Sequence, residues 1–129
     1  MQHASLENGR WAELSFAQQM ANIGSETSRI YRSLEAGKTV RAESAFARFQ
    51  ELIDLTLRYG RQGEPLSARS AMWKELCRFR ELYCEAYLTR NLPELAAANR
   101  YLTTSPICEG LVGIFRIISV KFIEQAITY

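Results

Sequence analysis

Apolar positions along this chain recur at helical spacing, and strict alternation of the kind a strand needs is almost absent. Phe16, Met20, Ile23, Thr27, Ile30 and Leu34 follow a four-three repeat and form one seam of a first helix, predicted from Trp11 to Leu34. Beside that seam runs a row of small residues, Ala17, Ala21, Gly24 and Ser28, which lets a neighbouring helix approach closely. Gly37 stops the helix. A second helix follows Thr39 as N-cap. Its inner face is Ala42, Ala45, Phe46, Phe49, Leu52, Ile53 and Thr56, and Gly60 ends it. The breaker-rich stretch from Gly60 to Pro65 is the one clear linker.

A third helix is predicted from Ala68 to Leu88, with Met72, Leu76, Phe79, Tyr83 and Tyr87 inward and Trp73, Cys77 and Cys84 on one buried flank. Asn91, with Glu94 three residues on, caps a short fourth helix to Leu102. Pro106, after Ser105, opens a fifth. The fold expected is an all-α, antiparallel bundle of four to five helices, with residues 1–129 as a single domain.

The fifth helix is apolar nearly all round in its last turns. Ile107, Leu111, Ile114, Phe115, Ile118 and Phe122 make an inner face, while Val120, Ile123 and Ile127 lie elsewhere, beside Glu109 and Arg116. Either this helix is central in the bundle or its second face meets another chain. The reading adopted is a partner surface at Val120, Ile123 and Ile127, used for homodimerisation or for another protein. A membrane span is rejected, because Arg116 would sit near the bilayer centre.

Composition alters this picture little. Apolar residues make up 47% and charged residues 23%, with a net charge of +2, so no strong field draws nucleic acid to the whole molecule. From Leu57 to Arg80, basic residues (Arg58, Arg61, Arg69, Lys74, Arg78, Arg80) outnumber acids (Glu64, Glu75). This is a mild basic region of a solvated face. An odd number of cysteines (Cys77, Cys84, Cys108) without a Cys-x-x-Cys pair fits a reducing cytoplasm.

Candidate chemistry is sparse. The one histidine, His3, lies near the N-terminus, which removes most His-based acid–base catalysis and His-containing metal sites. No Glu-x-x-His pair, no phosphate-binding glycine loop and no arginine–histidine pair of the bacterial toxin ribonuclease kind occurs. The expectation is a protein that is not an enzyme and carries no cofactor.

One side chain breaks the pattern of the third helix. Arg80 falls about 40° from Leu76 on the wheel, inside the apolar arc. A guanidinium there must snorkel, stack on a ring or meet a carboxylate. Glu26, at the border of the first helix's apolar face, is the expected partner, with Tyr83 and Tyr87 as further contacts. Such a pair would fix helix register; alternatively, Arg80 would take an anionic ligand or nucleic acid at a cleft mouth with Arg78, Lys74 or Arg29. Glu26 and Arg29 could also pair at i,i+3. Asp54 falls on the outer side of the second helix, with Arg58 as its expected surface partner.

The blocks NIGSETSR (residues 22–29), AESAFARFQELIDLTL (residues 42–57) and CRFRELYCEAYL (residues 77–88) resemble an uncharacterised bacterial family of small all-helical proteins. The resemblance covers about residues 11–88 and implies no particular activity, substrate or cofactor. It marks Asn22, Glu26, Arg29, Asp54, Arg78, Arg80 and Glu81 as a group. The candidate polar site is therefore Glu26, Arg29, Arg78, Arg80 and Glu81.

Overall fold

A computed structural model describes residues 10–104, and every regular element among them is helical. The predicted fifth helix, with Val120, Ile123 and Ile127, lies outside the described residues, as do His3 and Cys108. A 3-10 turn at Trp11–Glu13 precedes α1 (Phe16–Glu35), α2 (Thr39–Tyr59), α3 (Leu66–Leu88) and α4 (Leu92–Thr104).

The first helix begins at Phe16, where its apolar seam begins, rather than at Trp11, because Ser15 caps it. Ser15 Oγ accepts from the Gln18 amide at 3.1 Å, and Gln18 Oε1 accepts from the Ser15 amide at 2.9 Å. This reciprocal box satisfies two amides that the helix start would leave open. Trp11 is thereby freed from the helix and folds back into the core. Its indole N–H donates to Thr56 Oγ1 at 3.1 Å, and Gln19 Nε2 donates to its carbonyl at 2.9 Å.

Gly37 ends α1 at φ +73°, and the Lys38 amide reaches back to the Ser33 carbonyl at 2.7 Å. Thr39 is the first residue of α2 rather than its cap; Lys38 holds the cap position and makes no side-chain cap bond. Asn91 does cap α4, with its Oδ1 accepting from the Glu94 amide at 3.3 Å. Pro65 occupies the N-cap of α3, which starts at Leu66 rather than Ala68.

Most residues of the predicted seams are buried, while Phe16, Leu34 and Phe46 are partly so. Met20, Ile23, Thr27 and Ile30 of α1 meet Ala42, Ala45, Phe49, Leu52, Ile53 and Thr56 of α2 in one core. All of Met72, Leu76, Phe79, Tyr83 and Tyr87 are buried on α3. Aromatic rings lock α2 to α3: Phe46 stacks on Tyr87 at 4.0 Å, and Phe49 meets Tyr83 at 4.5 Å. Each such side chain contributes roughly 1.5–3 kcal/mol by leaving water.

The row of small residues on α1 receives α4, though not along its whole length. A Cβ at Gly24 would lie 3.4 Å from Leu102, and Ser28 Oγ is 2.6 Å from Asn99 Oδ1, whereas Ala21 is exposed. Helix α1 packs chiefly on α2 and α4, and α3 packs on the same two. No helix among the described residues is long and apolar enough to cross a membrane.

Candidate functional site

The five residues expected to form one polar site fall into separate places. Arg80 does not meet Glu26. Its Nη1 donates to Asp54 on α2. Packing explains the change, since α2 is the helix beside α3 on that face and α1 is not. Asp54 is therefore not paired with Arg58, whose guanidinium lies 5.5 Å from the centre of the Tyr59 ring. The Arg80–Asp54 pair is open to water, with the Asp54 side chain 63% exposed.

Tyr83 and Tyr87 give Arg80 neither hydroxyl nor ring. Both hydroxyls are buried without a hydrogen-bond partner among the described residues. Burial pushes the Tyr83 phenol far up, and the neighbouring Cys84 and Tyr87 add to the shift. Arg78 and Glu81 are exposed.

Arg80 and Glu81 border a shallow groove with Gln50, Cys84 and Leu88. Gln50 Nε2 lies 3.1 Å from Cys84 Sγ. Burial raises the Cys84 thiol, against smaller opposing effects of Gln50 and Arg80. A thiol held protonated is a poor nucleophile. Cys77, expected on a buried flank with Cys84, is exposed. In the basic stretch before Arg80, Lys74 and Arg78 are exposed, while Arg61 and Arg69 are held against rings. Arg61 sits 4.5 Å from the Phe16 ring centre and also pairs with Glu64, and Arg69 sits 5.2 Å from the centre of Trp73.

Glu26 has a different setting. Its side chain is 6% exposed, lying where α1 meets α2. One carboxylate oxygen accepts from Arg29 Nη1, as the i,i+3 spacing allows, and the other accepts from Arg48 Nε at 3.2 Å. Glu26 stands nine residues before the end of α1, and Arg48 stands nine after the start of α2. Positions equidistant from the Gly37 turn therefore face each other.

This registration gathers positive charge into a cleft that no single helix advertises. Arg29 and Arg32 line it from α1, Arg41 and Arg48 line it from α2, and Lys38 closes the turn end. The cleft encloses about 480 Å³, with Ser33 and Ser44 adding hydroxyls. Arg48 Nη1 donates to Ser44 Oγ at 3.0 Å, and Arg32 Nε donates to the Ser28 carbonyl at 3.3 Å. Within this group, the Glu26 carboxylate is shared between Arg29 and Arg48. Lys38 and Arg41 are exposed, and neither forms an ion pair among the described residues.

Arg29 is exposed and pairs with Glu26 at i,i+3, but spacing within one helix does not reveal the cluster. A signal was present: basic residues three apart lie on both sides of the Gly37 turn (Arg29 and Arg32, Lys38 and Arg41), near the same end of a closed hairpin. Among the described residues, no three His, Cys, Asp or Glu side chains gather to hold a metal ion. No family model matches the chain, and neither a curated protein nor a solved structure is similar to it.

Proposed function

We propose that this protein is a non-enzymatic binding module that holds an anionic group in the cleft between α1 and α2. One observation carries the reading: Lys38 and Arg41, without acidic partners among the described residues, converge with Arg29, Arg32 and Arg48 on one concavity. Concentrating like charge in a small volume works against folding. A bound anion reverses that sign by satisfying the unpaired donors. The site takes over the role expected of Arg80, whose charge Asp54 already answers. A reducing, cytoplasmic setting belongs to the same reading and accords with the free thiols of Cys77 and Cys84.

The test is thermal unfolding of the full chain at constant ionic strength, with citrate, orthophosphate and tripolyphosphate as probes. At least one should raise the midpoint as its concentration rises, as preferential binding to the folded state requires. The rise should vanish in Lys38→Glu/Arg41→Glu. If no anion moves the midpoint, the reading is wrong.

A further inference from the structure

We infer that the group held in this cleft is a row of two or more linked phosphoryl groups carried by a small molecule. The inference rests on the anion-binding reading and goes further, naming the ligand chemistry. Its first support is the layout of charge. The cations form two facing rows, with Arg29 and Arg32 on α1 opposite Arg41 and Arg48 on α2, and Lys38 lies at the turn. From Lys38 to Arg48 the row runs about 15 Å along the helix at 1.5 Å per residue. Glu26 answers Arg29 and Arg48, and one carboxylate or sulfate would engage one or two of the cations without spanning both rows. Linked phosphoryl groups carry several negative charges in a line and can meet both rows at once.

Donor chemistry points the same way. Arginine presents a planar fork that bonds two phosphate oxygens together, and lysine adds a point charge. Ser44 Oγ accepts from Arg48, which leaves its O–H able to donate to a ligand. The turn end of the cleft is also the start of α2, which has neither a side-chain cap nor an acid in its first turn. Its open amides add positive potential beside Lys38.

Size and lining argue for a small molecule over a nucleic-acid strand. A volume of about 480 Å³ falls among small-molecule sites. Among the described residues, no aromatic side chain lines the cleft; its uncharged lining residues are Ser33, Ala36, Ser44 and Ala45. Single strands are held by aromatic stacking as well as by charge, and that platform is missing. The whole chain, at +2, also lacks the strongly basic balance of nucleic-acid binders.

Calorimetric titration of the full chain at constant ionic strength tests this. The probes are tripolyphosphate, ATP, orthophosphate, citrate and a ten-nucleotide oligothymidylate. Tripolyphosphate should bind about tenfold or more tighter than orthophosphate and citrate, a gap of about 1.4 kcal/mol. ATP should match tripolyphosphate, because the lining offers nothing to read a base. Arg41→Glu should weaken tripolyphosphate about tenfold or more, while far-UV circular dichroism and the unfolding midpoint report an intact fold. Arg78→Glu, remote from the cleft, should bind as the parent does. Citrate or orthophosphate binding as tightly as tripolyphosphate would overturn the phosphoryl-row inference and leave anion binding standing. Oligothymidylate binding tightest would replace the small molecule with a strand. Failure of every probe would remove both readings.

Discussion

Arg80 could have been satisfied deep in the core or at its edge, and it is satisfied at the edge. Its partner Asp54 is mostly in water, so the pair contributes about 0–1 kcal/mol, against roughly 3–5 kcal/mol for breaking a buried pair. Arg80→Ala should therefore lower urea-unfolding stability by about 1 kcal/mol or less. A loss of several kcal/mol would mean that the guanidinium supports far more than Asp54. Glu94 makes the opposite case, an acid held where water is scarce. Burial raises its carboxyl above the ordinary value of 4.5, and Glu85 adds to the shift. The folded state then binds this proton more readily than the unfolded state does. The group's contribution is fully favourable below the unfolded value and is lost as pH rises through the raised folded value. Relative to the parent, Glu94→Gln should be the more stable protein at pH 7, and the gap should narrow as pH falls towards 4. Stability curves at the two pH values check this, and a gap that widens on acidification would refute it.

Helix faces were legible because burial follows spacing: the seams read on α1, α2 and α3 are the buried ones. Boundaries and partners were less so. Trp11 was the predicted start of α1, yet the apolar seam begins at Phe16, and the Ser15 box starts the helix there. Arg80, expected inside the apolar arc, lies at its edge; its partner depended on which helix lies beside α3, and spacing within one helix carries no such information. Gly60 shows how a single residue joins two elements. It ends α2, and it also lets α3 approach. A Cβ there would come within 2.5 Å of the Thr56 carbonyl and 2.8 Å of Met72 Sδ. The methionine end can move, but the carbonyl belongs to the last turn of α2 and accepts the Gly60 amide at 2.7 Å. Gly60→Ala should thus cost about 1–3 kcal/mol, seen as a lower urea midpoint with unchanged helix content. A neutral result would show that the α2–α3 joint yields freely.

At the scale of the whole molecule, the basic cleft exists only because α1 and α2 close on each other. In the separate helices, Arg29 and Arg32 or Lys38 and Arg41 are like-charged neighbours three apart, each pair unfavourable by a few tenths of a kcal/mol. Hairpin closure adds the repulsion between rows, and Glu26 offsets it for Arg29 and Arg48. Lys38 and Arg41 receive no such offset among the described residues. The free protein should therefore gain stability when a charge is taken from this end. Arg41→Ser should raise the unfolding midpoint at low ionic strength by about 2 °C, from about 0.5 kcal/mol of relieved repulsion. Exposed charges are screened over about 10 Å at 0.1 M salt and over about 3 Å at 1 M, so the gain should fade as salt is added. Removing a charge that stabilises the hairpin would do the reverse, lowering the midpoint most at low salt. Paired unfolding curves across a salt series separate the two signs without any ligand present.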